Sequence, residues 1–411
     1  MQKKVIMYKV FINKGKEKQL VKHHPWVFTG AIEKVEPKYS NADWAAAYTY
    51  DGKFIANGYY DEKSSVVLRL FNYDRKFNQE SYIKNAIYSS LQRRKELLAL
   101  NDTNCLRLIH SDADYLPGLV VDLYAKELKV IISSRFAHAN RDLILNILKE
   151  FLSPNTINIR TDNQYAKAES LSNYDITYDK DLNVVKDLKD NILFVESGIY
   201  YESERTHSQK SGFYCDQRDN RKLVASYAKD KKVLDACSYT GAFTLHALKN
   251  GAKEVTALDS SESSLRHLLY QVHLNVNKGV LPEGSREKVT TVNADVFNHI
   301  REFEDSSYDL IILDPPKLAQ TKNKLENALK AYKDLNRVAM MKVKNNGIIA
   351  TFSCSSALSL AEFKTMVAYA AADLKYEVQV LNVMSAGSDH PYRLSFSESE
   401  YLKGLIIRVI K

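Results

Sequence analysis

Short apolar segments alternate with amphipathic segments of helical spacing from residue 231 to the C-terminus. The apolar segments predict strands at 232–237, 254–259, 289–295, 308–314, 347–354, 377–384 and 402–410. The clearest intervening helix is predicted for residues 360–374. Strand and helix in alternation are typical of a doubly wound, mostly parallel α/β sheet with helices on both faces.

The N-terminal segment 1–80 carries a different pattern, in which short alternating runs are separated by turn residues. The runs lie at 5–11, 26–28, 54–60 and 65–71, and they predict a small β-barrel. His23 and His24 stand in tandem before Pro25 and Trp26. They can be interpreted as metal ligands, but a turn before a buried Trp-Val-Phe strand is favoured, and no metal site is predicted.

Residues 81–197 combine both patterns. Ile83, Ile87 and Leu91 lie at helical spacing. A second helix is predicted at 140–152 and a polar loop or hairpin at 165–190, with strands at 118–123, 128–133, 156–161 and 191–195. This pattern indicates a small α+β domain. The predicted domains are therefore 1–80, 81–197 and 198–411.

Composition and charge predict the cellular compartment of the protein and the class of its binding partner. No run of 18 apolar residues and no signal-peptide core occurs in the 411 residues, which favours a cytoplasmic protein with no membrane partner. The formal net charge is +8, and the segment 1–40 holds nine lysines against three acidic residues. A basic end suits a polyanionic partner, although a solvated lysine-rich face explains it equally well at this point.

The stretch from Lys231 to Leu248 predicts a strand, a tight turn and a helix, which together form a nucleotide cradle. The turn contains one glycine, Gly241, where a dinucleotide fold has G-x-G-x-x-G, so a ligand without a pyrophosphate is favoured. Asp259 ends the second strand and can accept hydrogen bonds from ribose hydroxyls. Asp295 ends the third strand and can accept from an adenine amino group. Each acid alone can also be explained as a helix N-cap.

The fourth predicted strand runs into Asp314-Pro315-Pro316-Lys317. The two prolines stiffen the chain and hold Asp314 at the strand edge. This arrangement resembles that of class I S-adenosylmethionine-dependent methyltransferases.

Four cysteines occur without a CxxC pair, so neither a zinc site nor a disulfide framework is predicted. Cys354 follows the fifth strand, and Cys105, Cys215 and Cys237 are interpreted as packing residues. If the fourth and fifth strands are neighbours, Cys354 and Asp314 face one pocket. A thiolate there can add to carbon 6 of a cytosine and make carbon 5 nucleophilic, while Asp314 stabilises charge on the ring nitrogen. The alternative is that Cys354 is only a small residue at a strand end.

Motifs along nearly the whole chain resemble those of the bacterial 23S ribosomal RNA cytosine-5 methyltransferases that carry an N-terminal PUA domain. These motifs are His24 to Gly30, Tyr115 to Leu119, Ser211 to Arg218, Ser238 to Gly241, Asp314 to Lys317, Thr351 to Ser355 and Tyr401 to Gly404. The resemblance implies a PUA-type RNA-binding barrel, a central β-β-α-β-β domain and a Rossmann-like methyltransferase domain with a mostly parallel seven-stranded sheet.

The resemblance also implies S-adenosylmethionine as cofactor, Cys354 as the attacking thiolate and a position over the cofactor for Gln217 and its neighbours. Together with the strand-end residues, the predicted catalytic residues are Cys354 and Asp314. The predicted cofactor-binding residues are Phe213, Gln217, Arg218, Tyr239, Gly241, Asp259, Asp295 and Asp314. The implied partner is 23S ribosomal RNA or a large-subunit assembly intermediate. Whether the protein forms a homodimer stays open.

Two departures and two alternatives accompany the resemblance. Pro316 occupies the place of a second cysteine found in many other cytosine-5 RNA methyltransferases, and Ala236-Cys237 replaces a bulkier pair. One alternative is a methyltransferase acting on another base or on protein, with Cys354 structural. The other is a non-catalytic RNA-binding ribosome assembly factor.

Overall fold

The computed structural model describes residues 7–38, 42–166, 169–186, 191–203, 213–318 and 325–411. The chain forms two compact units. The first comprises 1–192, 203–213 and 389–399, and the second comprises 193–202, 214–388 and 400–411. Among the described residues, no helix has the length and apolar composition needed to cross a bilayer.

The first unit begins with a mixed sheet of six described strands in the order β2-β6-β5-β4-β1-β3, in which β1 and β4 are parallel. The strands are β1 (Tyr8–Ile12), β2 (Trp26–Val27), β3 (Ile32–Glu36), β4 (Asp43–Thr49), β5 (Phe54–Tyr60) and β6 (Leu68–Asn72). The sequence pattern missed β3 and β4. Ala45, Ala46 and Ala47 of β4 are all fully buried, so this strand shows no alternation of apolar and polar positions.

A second sheet in the first unit has the described order β12-β11-β10-β9-β8-β7. Its elements and the helices beside it are α1 (Gln79–Arg93), α2 (Lys95–Leu98), β7 (Cys105–His110), β8 (Leu119–Tyr124), β9 (Glu127–Ile132), α3 (Arg135–Ala139), α4 (Arg141–Leu152), β10 (Thr156–Thr161), α5 (Asn163–Ala166), β11 (Asp175–Asp179) and β12 (Val184–Val185). The antiparallel pair β11 and β12 falls in the stretch expected to be a loop or hairpin, part of which lies outside the described residues.

The strand at 191–195 was predicted to belong to the sheet of the central α+β domain, and this assignment is wrong. It forms β13 (Ile192–Glu196), which pairs with β14 (Ile199–Ser203) in a separate two-stranded sheet. Its apolar residues alternate like those of the central strands, and that alternation does not specify a pairing partner.

The tandem histidines of the first unit make local contacts. His23 stacks on Tyr73 with ring centroids 3.9 Å apart, and His24 Nδ1 accepts the Trp26 backbone N–H at 3.3 Å. The pair therefore closes the turn in front of β2.

The large sheet of the second unit has seven described strands in the order β17-β16-β15-β18-β19-β21-β20, all parallel except β21. The strands are β15 (Lys232–Ala236), β16 (Glu254–Asp259), β17 (Val289–Asn293), β18 (Tyr308–Leu313), β19 (Val343–Ser353), β20 (Glu377–Ser385) and β21 (Lys403–Ile410). This order confirms the predicted α/β fold class.

Helices cover the sheet of the second unit. They are α6 (Arg218–Ala225), α7 (Ala242–Lys249), α8 (Glu262–Asn277), α9 (Val296–His299), α10 (Leu325–Lys342) and α11 (Leu360–Ala372). Local signals begin two of them: the Ser261 side chain accepts from the Ser264 N–H, and Ser359 and Glu362 form a capping box. The carboxyl ends of β15, β16, β18 and β19 therefore meet at one edge, where ligands bind in such sheets.

Candidate active site

The end of β15 and the turn that follows it, residues 235–241, are together called the cofactor turn here. Cys237, Tyr239 and Gly241 have positive φ angles of 64°, 47° and 84°. A Cβ on Gly241 would lie 2.3 Å from Leu268 Cγ of α8. The glycine is therefore required by its left-handed backbone and by close packing of α8, which are reasons that do not depend on the ligand.

Asp235, the fourth residue of β15, connects this strand to the helix that follows. Its Oδ2 accepts the Thr244 backbone N–H at 3.0 Å and the Thr244 hydroxyl at 2.7 Å. The carboxyl is buried, and burial raises its pKa to about 6. Asp235 thus orders the first turn of α7 and holds the cofactor turn against it.

Asp259 and Asp295, which were predicted to bind the ribose and the adenine, both accept hydrogen bonds from the backbone. Asp259 Oδ2 accepts the Tyr239 N–H at 2.8 Å, and its Oδ1 accepts the Ser261 N–H at 2.9 Å. Asp295 is exposed and caps α9 by accepting the Asn298 N–H at 3.0 Å. Each carboxylate retains lone pairs for a ligand, so the binding roles stay predictions.

Asp314 follows β18, and it lies near Asp216 and Gln217 from the turn before α6. Burial and the nearby Asp216 together raise its pKa to about 7, and the Gln217 side chain opposes the shift. Asp216 is held in place because its Oδ2 accepts the Tyr401 hydroxyl at 2.6 Å and its carbonyl accepts the Gly387 N–H at 2.8 Å. The Asp314 carboxyl is therefore divided between its acid and its base form near neutral pH.

Cys354 directly follows β19 and is partly exposed. β18 and β19 are parallel neighbours with Leu313 opposite Thr351, so Asp314 and Cys354 leave adjacent strand ends. The residues 353–356 are called the cysteine turn here. It is ordered by the Ser355 N–H, which donates to Ser353 Oγ at 3.3 Å.

Tyr214 lies within reach of both groups, and the sequence analysis did not select it. Burial raises the pKa of its hydroxyl, and the charges that raise it further are those of Tyr239, Asp216, Asp314 and Cys354. Its ring lies 5.6 Å from that of Tyr239. Tyr214 and Asp216 could have been selected from the sequence, since both belong to the motif Ser211 to Arg218 that also contains Gln217.

Cys237 has a different environment from Cys354. It packs against the apolar core of the second unit. Burial raises the pKa of its thiol well above the usual range, and four carboxylates raise it further: Asp314, Asp259, Asp235 and Asp295. A thiolate at Cys237 is disfavoured, in line with its interpretation as a packing residue.

Two further predicted cofactor residues have other contacts. Arg218 is buried, and its Nε donates to Asp219 Oδ1 at 3.1 Å. Phe213 belongs to the first unit, where its carbonyl accepts the Tyr124 hydroxyl at 3.3 Å. Ser211 and Gly212 of the same motif lie outside the described residues. The cofactor roles of Phe213 and Arg218 stay predictions.

Comparison with known proteins identifies the family. Residues 10–73 match the PUA-like domain, and residues 185–374 match the S-adenosylmethionine-dependent methyltransferase family. The ribosomal RNA large subunit methyltransferase I of Pseudoalteromonas atlantica is 34% identical over 98% of this chain and 99% of its own length. The enzyme of that name from Aeromonas hydrophila is 33% identical over 97% and 98%.

The chain belongs to the ribosomal RNA large subunit methyltransferase I family. The family expected from the sequence motifs is thereby confirmed, and the protein is an S-adenosylmethionine-dependent methyltransferase. A methyltransferase solved in complex with SAH has the same fold, with a TM-score of 0.81, 21% identity and coverage of 98% of this chain and all of its own. A methyltransferase from Streptococcus mutans gives a TM-score of 0.79 at 20% identity, with the same coverage of both chains.

The methyltransferase site fits its cofactor chemically. In the described part of the chain, five buried polar atoms around the strand ends have no hydrogen-bond partner: Asp216 Oδ1, Gln217 Nε2, Asp235 Oδ1, Ser238 Oγ and Thr351 Oγ1. Buried polar atoms are rarely left unpaired in native proteins. The four oxygens can accept hydrogen bonds and the Gln217 amide can donate them, so they suit a ligand that carries amino, hydroxyl and carboxylate groups, as S-adenosylmethionine does.

Proposed function

We propose that the protein transfers a methyl group to carbon 5 of a cytosine in 23S ribosomal RNA through a covalent bond between Cys354 and carbon 6. The single observation that carries this proposal is the pairing of strand ends. Cys354 leaves β19 beside Asp314, which leaves the adjacent β18, and Tyr214 lies within electrostatic reach of both. A nucleophile and an acid therefore flank one space at the ligand-binding edge of the sheet.

The reaction requires a thiolate because carbon 5 of cytosine is not nucleophilic by itself. The Cys354 sulfur bonds to carbon 6, and the electron pair of the 5,6 double bond makes carbon 5 nucleophilic. Bound S-adenosylmethionine supplies the methyl group that carbon 5 takes up. A base then removes the carbon 5 proton, the carbon–sulfur bond breaks, and Cys354 leaves as a thiolate.

Asp314 is assigned to the ring nitrogen of the target base. With a pKa of about 7, a large fraction of its carboxyl groups carry a proton at neutral pH. A protonated carboxyl can donate to the ring nitrogen as negative charge develops there during thiolate addition. Asp216 keeps this proton available because its negative charge disfavours ionisation of Asp314.

RNA binding is assigned to the N-terminal segment 1–80 and the chemistry to the segment 198–411. Residues 10–73 match a PUA-like domain, and the relatives are named for the large-subunit ribosomal RNA. Lysines in the segment 1–40 supply phosphate contacts without sequence readout. The target cytosine must leave its stack to reach Cys354, which is easiest in unpaired RNA.

A large-subunit RNA fragment containing 5-fluorocytosine tests both the base and the mechanism. Fluorine replaces the proton that must leave carbon 5, so the Cys354–carbon 6 bond should persist after methyl transfer. We expect a protein–RNA adduct whose digested peptide carries the nucleotide on Cys354, together with 5-methylcytosine in unmodified RNA. A methyl group on another atom would refute the base assignment. A 5-methylcytosine product without any adduct would refute the covalent step.

A further inference from the structure

Lys403 is buried directly behind the cysteine turn, with 3% of its surface exposed. It is the first residue of β21 and pairs with Ser353, the last residue of β19. Its Nζ lies 3.3 Å from the Ser355 carbonyl, 3.0 Å from the Glu400 carbonyl and 3.4 Å from the Tyr401 carbonyl. The ammonium group therefore joins the cysteine turn, which follows β19, to the segment that precedes β21.

The three carbonyl oxygens match the three N–H donors of a protonated lysine. A neutral amine has two N–H donors, and its lone pair would face a carbonyl oxygen. Burial lowers the pKa of Lys403 below its ordinary value, and Glu400 and Cys354 oppose this shift in part. The contacts favour the charged form at a position where no water shell can stabilise it, which is a costly arrangement for a residue whose only task is packing.

We propose that Lys403 is a positioning residue that holds the cysteine turn through the Ser355 carbonyl and stabilises the Cys354 thiolate with its positive charge. This proposal rests on the assignment of Cys354 as the nucleophile. A nearby cation favours the ionised form of a thiol and raises the fraction that can attack carbon 6.

Other charged and titratable groups face this pair. Those whose fields reach Lys403, besides Cys354, are Glu400, Lys317 and Glu362. The hydroxyls of Tyr214 and Tyr332 are also within electrostatic reach of Cys354. Asp314 leaves the adjacent strand end, and its ionised form disfavours a thiolate at Cys354 in every Lys403 variant alike. Of the two lysines, Lys317 is exposed and its charge is screened by water, whereas Lys403 is buried. Lys403 therefore contributes the stronger positive field at the cysteine turn.

The test measures alkylation of Cys354 by iodoacetamide against pH, with the Cys354 peptide quantified by mass spectrometry. Lys403→Met removes both charge and donors, Lys403→Gln keeps two N–H donors without the charge, and Lys403→Arg keeps both. The matched control is Lys342→Met. Lys342 is a buried lysine that immediately precedes β19 at its opposite end and donates to Asp305. Folding is checked by circular dichroism and SAH binding.

We expect the midpoint of the alkylation profile to rise by about one pH unit or more in the Met and Gln variants, which is a roughly tenfold loss of thiolate near pH 7. The Arg variant and Lys342→Met should keep the wild-type midpoint. If the Met variant does not fold, the Gln variant decides the question.

Wild-type profiles in both neutral variants would overturn the proposal. Since alkylation requires no RNA, these curves are independent of the nucleophile's role in methyl transfer. Full methyl transfer by Cys354→Ala would instead overturn the proposed function. Cys237, whose thiol pKa is raised by burial, should react slowly in every variant and serves as an internal control.

Discussion

The cofactor turn and the cysteine turn both follow parallel strands of one sheet, and each contains a cysteine. Cys237 packs on the apolar core, and the charges that reach it are four carboxylates that disfavour its thiolate. Cys354 is partly exposed, and the charge behind its turn is that of Lys403. The difference teaches that the sign of the surrounding charge and the access to the sulfur distinguish the proposed nucleophile, Cys354, from Cys237.

The largest expected difference between the two turns is the loss of methyl-transfer activity when the cysteine of each is replaced separately by alanine. Cys354→Ala should lower methyl transfer to unmodified ribosomal RNA by at least about a thousandfold, since the covalent route is lost. Cys237→Ala should retain activity within a few-fold and cost about 1 kcal/mol of stability through lost packing. Initial rates with radiolabelled cofactor measure both. Comparable losses of activity in the two variants would contradict the comparison.

Gly241→Ala tests whether the cofactor turn is fixed by packing. A methyl group there meets Leu268 at 2.3 Å on a left-handed backbone, so we expect a loss of about 2–5 kcal/mol in the free energy of unfolding. Gly279→Ala is the control: it has a φ of 70° but open space around it, and should cost about 1–2 kcal/mol. Urea titration measures both. Equal losses would mean that backbone conformation alone requires Gly241.

Asp314→Asn tests the acid that lies between the two turns. Folding raises the Asp314 pKa to about 7 from about 4 in the unfolded chain, so the native state binds more protons across that window. Its contribution to stability falls as pH rises from about 4 to about 7 and then levels off. The variant should therefore match the wild type near pH 4 and exceed it by on the order of 2–4 kcal/mol at pH 8.

The same Asp314 variant should transfer methyl groups slowly at every pH, because an amide cannot supply the proton assigned to the ring nitrogen. Thermal unfolding at several pH values and methyl-transfer rates measure the two effects. Asp314→Ala, which also removes the charge, controls for the hydrogen-bonding shape of the side chain. A stability gain that does not change with pH would contradict a raised pKa.

Sequence patterns predicted the parts of the site that follow from strand order. In a parallel sheet the carboxyl ends of strands share an edge, so Asp314 and Cys354 could be paired from sequence alone. Asp216 and Lys403 were missed because their contacts join segments far apart in sequence. The Tyr401 hydroxyl reaches Asp216 across 185 positions, and no periodicity encodes such a contact. Lys403 was noted only as a member of the motif Tyr401 to Gly404, with no role assigned to it.

Asp295 gives the smallest expected effect and separates the two interpretations of an acid at a strand end. Asp295→Ala should cost about 1 kcal/mol of stability through loss of the α9 cap, whereas Asp295→Asn preserves the cap and should cost almost nothing. If the carboxylate also accepts from the adenine amino group, Asp295→Asn should weaken SAH binding about two- to tenfold. Calorimetric titration measures this change. Unchanged SAH affinity in the Asn variant would mean that Asp295 only caps α9. Adenine would then be bound by the buried acceptors of the cofactor turn instead.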